Sequence, residues 1–187
     1  MARYHLQKEN RITLERVDTP ISILTWAAAM TTTKSKYGAS FWGLQIPGWL
    51  LLIYLIYAQG ITAFGYDIGV AMGTQEPVEK VTEVGAAFWY GFAFGDLLTY
   101  IPILIVGLIG HLRGVRWGQI WMAAALGITV YWPIVCLSAL VDARGAPGWN
   151  IANETPYWVV LSVIAAWGVW GLFVVTREPQ PSAHRTP

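Results

Sequence analysis

Residues 86–110 read AAFWYGFAFGDLLTYIPILIVGLIG, and this stretch decides the fold. Asp96 is its only charged residue. An α-helix rises 1.5 Å per residue, so about 20 mostly apolar residues cross the roughly 30 Å hydrocarbon core of a bilayer. The stretch therefore predicts a transmembrane helix.

Three other stretches are equally long and apolar, and polar links separate them. They lie at about 44–64, 117–141 and 157–175. Only 12% of the 187 residues are charged, against about 25% in a soluble domain, so little polar sequence remains to cover four such helices in water. The sequence predicts an all-α integral membrane protein built as a bundle of four transmembrane helices.

Basic residues are distributed unevenly over the links. Ten of the 12 Lys and Arg residues precede the first span, follow the fourth, or lie between the second and third. The two opposite links are rich in acidic residues, and their only basic residues are Lys80 and Arg144. An excess of Lys and Arg marks the cytoplasmic side, so both termini are predicted to be cytoplasmic, in a plasma (inner) membrane.

The N-terminal segment, residues 1–43, is predicted to be cytoplasmic and to contain a short interfacial helix at about 20–33. Thr19 suits the N-cap and Pro20 the first helical position, but the apolar run covers only about 20 Å and is too short to cross. The membrane domain is expected at 44–175, followed by a flexible cytoplasmic tail at 176–187.

Charge and composition argue against several functions. A net charge of +1 argues against a nucleic-acid partner, and the lipid bilayer is the expected surrounding. One Cys and three His offer no disulfide and no metal-ligand spacing, so neither a metal nor a cofactor is expected. His111, with Arg113 and Arg116, is interpreted as an anchor for lipid headgroups.

Asp96 lies near the middle of its predicted span. A charge there costs about 2.5–3.5 kcal/mol on the insertion scale, and no basic residue lies at the same depth. The candidate ligand site consists of Asp96 and its expected neighbours Thr99, Tyr100, Thr129 and Tyr131. The alternative is a protonated Asp96 that only links helices by hydrogen bonds.

Gly91 and Gly95 form a GxxxG motif just before Asp96. Small residues at this spacing let two helix backbones approach closely, so this pair is expected to pack a helix of this chain, of a second copy or of a partner subunit. Asp96 is accordingly expected to face a packed neighbour rather than lipid.

Prolines and tryptophans add two expectations. Pro102 and Pro133 are predicted to kink the second and third spans, whereas Pro47 is expected in the first turn of its helix. The 11 tryptophans are interpreted mainly as interface anchors, and the alternative is an aromatic cage around a ligand.

Three functions are compatible with these residues. The favoured one is a non-catalytic accessory or subunit protein of a membrane complex, docked through its glycine pair and its N-terminal segment. The alternatives are a carrier or binding protein for a small molecule, proton or ion with its site at Asp96, and an intramembrane enzyme acting on a lipid-like substrate. Enzyme activity is not expected, because one carboxylate without a neighbouring nucleophile is poor catalytic equipment.

Overall fold

The computed structural model describes residues 37–178, and that part of the chain contains helices and no strands. The helices are α1 (Ala39–Leu55), α2 (Tyr66–Ala71), α3 (Val78–Gly95), α4 (Ile101–Arg113), α5 (Arg116–Asp142) and α6 (Thr155–Arg177). Two π-helical turns, Ile56–Gly60 and Asp96–Tyr100, follow α1 and join α3 to α4. The predicted interfacial helix at 20–33 and the tail beyond residue 178 lie outside the described residues.

Within residues 37–178, four helical segments are long and apolar enough to cross a membrane, as predicted for this part of the chain. In chain order, these four spans are Ala39–Phe64, Val78–Arg113, Arg116–Asp142 and Thr155–Arg177. Each extends beyond the predicted apolar stretch, because backbone hydrogen bonding rather than apolarity sets the end of a helix. Pro47 therefore lies inside α1 rather than in its first turn, contrary to expectation.

Large apolar side chains cover the outside of the bundle. Leu50, Ile53 and Ile120 are 62%, 64% and 62% exposed. A surface of this kind is an aggregation hazard in water and the normal contact with lipid in a bilayer. The exposed side chains therefore agree with the hydropathy of the four spans.

The third span packs closely against the second and the fourth. Gly110 of α4 and Gly118 of α5 face each other, and a Cβ atom on Gly118 would overlap the backbone of Gly110. Gly114 closes α4 in the left-handed region with a φ of 67°, and Val115 donates from its N–H to the carbonyl of Gly110 at 3.1 Å. This short link sets α4 and α5 antiparallel and in contact.

The core between the spans is aliphatic. It is filled by fully buried Leu and Met side chains of the first three spans: Leu44, Leu55, Leu104, Leu108, Met122 and Leu126. Packing these chains at interior density is what holds transmembrane helices together, since lipid offers no hydrophobic drive for their association.

A π-helical turn, Asp96–Tyr100, lies just before Pro102, where a kink is predicted. The N–H of Ile101 bonds the carbonyl of Asp96, five residues back instead of four. Proline cannot donate, and its ring would clash with the carbonyl of residue 98, so the wider turn absorbs both defects. Pro133 instead lies within α5, which continues from Arg116 to Asp142.

Thr82 divides α3 into a short first turn before it and a longer helix that continues to Gly95. Its φ and ψ angles of 67° and 164° are non-helical, and its Oγ1 accepts the N–H of Gly85 at 3.3 Å. This is the N-cap arrangement, in which a side-chain oxygen satisfies an N–H of the first turn. The continuous helical part of the second span therefore begins at Glu83.

Candidate functional site

Three of the five predicted site residues lie together inside the bundle. Asp96 is 6% exposed, and Tyr100 and Thr129 are fully buried. The hydroxyl of Thr129 donates to the carbonyl of Ala125 at 2.8 Å and lies 2.5 Å from the hydroxyl of Tyr100. Because the Thr129 proton is directed at Ala125, Tyr100 is the donor in the second bond.

The other two predicted residues lie on the outside. Thr99 is exposed, and Tyr131 is 65% exposed. Residues two apart on a helix point about 200° apart, so Thr129 and Tyr131 do not share a face. The buried cluster therefore contains Asp96, Tyr100 and Thr129 without Thr99 or Tyr131.

Asp96 is buried without a hydrogen-bond partner for one of its oxygens. Within residues 37–178, no group bonds Oδ2 of Asp96. Buried polar atoms almost always have partners, so this oxygen is a place where a ligand atom would be stabilised. The burial of Asp96 confirms that it faces protein rather than lipid.

A cavity of about 220 Å³ lies near Asp96, towards the end of the bundle that carries the links 65–77 and 143–154. We call this end the acidic end. Phe92, one helical turn before Asp96, and Cys136, on α5, both line the cavity. Asp96 therefore lies just beyond the cavity floor. An engineered cavity of about 150 Å³ holds benzene, so this volume suits a small ligand.

The cavity wall is largely aromatic. Trp89, Trp132 and Trp149 line it, and the rings of Trp89 and Trp149 meet edge to face with centroids 6.2 Å apart. Tyr157 also lines the wall, 6.4 Å from Trp89. The Nε1 atom of Trp149 is buried without a partner in the described part of the chain. These tryptophans therefore line a cavity, and the alternative of an aromatic cage around a ligand stays a prediction for them.

Other tryptophans agree with the anchor interpretation. They lie on the outside of the bundle towards its opposite end, between 41% and 48% exposed, and are Trp42, Trp117, Trp121 and Trp170. Amphipathic indole rings prefer the headgroup region, where one edge meets water and the other meets hydrocarbon.

Glu76 holds the first link of the acidic end against the bundle. Its carboxylate accepts from Tyr157 at 3.0 Å and from Lys80 at 2.9 Å, and its carbonyl accepts from Tyr66 at 2.7 Å. Burial, with a further contribution from Glu76, raises the pKa of Tyr66 to about 12, so this phenol remains a donor at physiological pH. The cavity mouth is thus fixed by a network around one carboxylate.

Both basic residues of the acidic end are engaged. Lys80 is paired with Glu76, and Arg144 forms a salt bridge with Glu154. Hydrogen bonding to Arg144 lowers the pKa of the Glu154 carboxyl. The remaining carboxylates of this end, which form no ion pair within the described residues, are Asp67, Glu79, Glu83 and Asp142. The potential at the cavity mouth is therefore negative.

A second polar cluster, which the sequence did not reveal, lies at the opposite end of the bundle. Trp49 donates to Oε1 of Gln45 at 3.0 Å, and Nε2 of Gln45 lies 2.9 Å from Nδ1 of His111. Nε2 of His111 lies 3.1 Å from a carboxylate oxygen of Glu178. We call Gln45, His111 and Glu178 the clasp.

The hydrogen bonds of the clasp select one tautomer of the His111 imidazole. Trp49 can only donate, so it sets the orientation of the Gln45 amide and makes Nε2 of Gln45 the donor to His111. Nδ1 of His111 therefore accepts, and Nε2 of His111 carries the proton given to Glu178. His111 is 4% exposed and stacked on Phe41, so it does not act as the exposed headgroup anchor expected from the sequence.

The predicted glycine motif faces outward. Gly91 and Gly95 are exposed, and a Cβ atom on either would meet nothing within 4 Å. The close helix approach inside the bundle is instead made by Gly110 and Gly118. GxxxG spacing predicts a smooth helix face but not the helix that covers it.

Comparison of the chain with protein-family models, with curated proteins and with solved structures finds no match. The functional proposal below therefore depends on the geometry of the cavity and its surroundings.

Proposed function

We propose that this protein is a membrane-embedded carrier or binding protein for a small molecule, which occupies the cavity at the acidic end. The observation that carries the proposal is an aromatic cavity with an unpartnered indole N–H in its wall, Trp149, and an unpartnered carboxylate just beyond its floor, Asp96. A buried polar atom without a partner costs about 1–3 kcal/mol. A ligand that satisfies these atoms recovers that free energy.

The backbone around the site supports the same function. The turn Ile56–Gly60 carries Gln59, which lines the cavity, and the turn Asp96–Tyr100 carries Asp96. The two π-helical turns contact each other. Such turns are rare and occur often at functional sites, because they redirect side chains that a regular helix would place elsewhere.

Membrane insertion and orientation belong to the same proposal. The four spans cross a plasma (inner) membrane, with both termini in the cytoplasm as the distribution of Lys and Arg favours. The acidic end then faces the outside of the cell. The ligand reaches the cavity from that side of the membrane.

Filling the cavity tests the proposal. Ala139 lines the cavity on α5, and Ala139→Phe is expected to lower ligand affinity at least about tenfold by occupying the space. Ala124→Phe, on an exposed position of the same helix, is the matched control and is expected to bind normally. Binding is measured by equilibrium titration of purified protein in lipid nanodiscs with a library of small amines, acids and neutral aromatics. Equal binding by both variants for every compound would reject the cavity as the site.

An accessory or subunit role is the second candidate, and the outward-facing glycine pair favours it. A transmembrane helix of a partner subunit would pack on Gly91 and Gly95. Gly95→Leu is expected to leave thermal stability unchanged, because its side chain meets no atom of this chain, and to remove the partner from the complex isolated in mild detergent. The mass of the complex is measured by native mass spectrometry, with Gly127→Leu as a control glycine. An unchanged mass for Gly95→Leu would argue against this role.

A further inference from the structure

The cavity adjoins an apolar groove on the outside of the bundle. The groove lies between the first and fourth spans, and Tyr54 and Val160 line both spaces. Leu50 and Val163 line the groove and are 62% and 63% exposed, so the groove opens to the surroundings of the spans. A path of apolar surface therefore connects the cavity with the region that lipid occupies.

At one end of the groove, a hydrogen bond joins the first and fourth spans. Trp167 donates to the carbonyl of Gly43 at 2.9 Å and joins the fourth span to the first at the end opposite the acidic end. Towards the acidic end, the same two spans are separated by the groove and the cavity. We call the groove the side opening, because it shares the wall residues Tyr54 and Val160 with the cavity.

The charges around the cavity select a cation. None of the described residues that line it is basic, and both basic residues at its mouth are paired with Glu. Asp96 lies one helical turn below the floor residue Phe92 without a counter-charge. A cation in the cavity would stabilise the ionised form of Asp96, because Coulomb attraction falls only as the inverse of distance and acts across one layer of side chains where water is excluded.

The wall fits a cationic head group. The faces of Trp and Tyr rings attract ammonium groups, most strongly when water is excluded. Nε1 of Trp149 is buried without a partner beside this wall, and it would gain an acceptor if the ring turned towards a hydroxyl or ether oxygen next to the positive nitrogen. An anionic ligand would meet carboxylates at the mouth and below the floor.

We infer that the ligand is a single-chain cationic amphiphile, whose hydroxylated ammonium head occupies the aromatic cavity and whose alkyl chain lies in the groove between the first and fourth spans. This inference rests on the proposed binding function and adds the chemical class of the ligand to it. The head reaches its site through the side opening as well as from the acidic end, since Tyr54 and Val160 border both spaces.

The test compares three probes on protein in nanodiscs of zwitterionic lipid: octyl(2-hydroxyethyl)dimethylammonium, octyl sulfate and choline. Specific binding of each probe is the difference between its binding to the wild-type protein and its binding to Ala139→Phe. The cationic amphiphile is expected to bind at least about tenfold more tightly than octyl sulfate, which lacks the cation, and than choline, which lacks the chain. Asp96→Asn is expected to abolish the preference for the cation over octyl sulfate.

A matched pair of variants tests the position of the chain. Val163→Trp blocks the groove and is expected to reduce the affinity of the octyl cation to that of choline. Val159→Trp, one turn earlier on the same exposed side of α6 but outside the groove, is expected to leave the affinity unchanged.

The outcomes separate this inference from the proposed function. Octyl sulfate binding as tightly as the cation would overturn the charge assignment, and choline binding as tightly as the octyl cation would overturn the groove. Either result leaves a functional cavity. If Ala139→Phe removes no binding of any of these probes or of the small-molecule library, the proposed function itself fails.

Discussion

Gly118→Ala is expected to lower the free energy of unfolding by about 3 kcal/mol or more, which is at the upper end of the range for overpacked cores. Its added methyl group would overlap the backbone of Gly110 on α4. Side chains in a core relieve such overlaps by changing rotamer, but a backbone atom moves only with its helix. The substitution therefore forces apart the second and third spans, whose close packing holds the aliphatic core.

Gly127→Ala is the matched control, because Gly127 lies on the same helix and a Cβ atom added there would meet nothing within 4 Å. It is expected to be neutral or slightly stabilising, since alanine loses less backbone entropy in a helix than glycine by roughly 0.5–1 kcal/mol. Thermal unfolding of both variants in the same detergent gives the comparison. Equal losses would show that helix propensity, not the contact with Gly110, decides the result.

Asp96→Leu is expected to raise the free energy of unfolding and to weaken ligand binding. The leucine has no unsatisfied oxygen, so removal of a buried carboxyl group is expected to stabilise the bundle by about 2 kcal/mol. The cationic probe loses its counter-charge and is expected to bind at least about tenfold more weakly. Opposite effects on stability and binding are typical of a residue retained for function.

Asp96→Asn separates charge from polarity in this experiment. Asparagine keeps a buried polar group and is expected to change stability little, while it loses the preference for a cation. Reversible unfolding in mixed micelles measures stability, and nanodisc titration measures binding. A loss of stability in Asp96→Leu would favour the alternative role for Asp96, a protonated group that links helices by hydrogen bonds.

The spans could be predicted because length and apolarity determine them almost alone. Residues 86–110 are long and apolar enough to cross a bilayer, whatever their neighbours. The exact ends were less predictable: α1 begins before Pro47 because its first residues form helical hydrogen bonds without being strongly apolar. Which glycines meet was not predictable, since Gly91–Gly95 and Gly110 are equally small and only the packing distinguishes them.

The candidate site could be predicted only in part. Asp96 is conspicuous as a charge in an apolar stretch, and Tyr100 and Thr129 follow from helix spacing and depth. The cavity could not be predicted, because its wall joins Trp89 of a span to Trp149 of a link, and the loop conformation decides where that link lies. Spacing of three residues from Asp96 suggests Thr99, and depth across the bundle suggests Tyr131, but neither criterion specifies the direction in which these side chains point.

The clasp has a consequence for the synthesis of this chain. Gln45 precedes His111 by 66 residues, and His111 precedes Glu178 by 67. Translation proceeds at about 5–20 residues per second, so each interval lasts on the order of ten seconds. The Gln45 amide therefore lacks His111, and the His111 imidazole lacks Glu178, while later helices are translated. The clasp closes only after the last span is complete. A nascent chain that stops earlier can pair Nδ1 of His111 with Gln45 but lacks the carboxylate acceptor for Nε2, which distinguishes an unfinished bundle from a finished one.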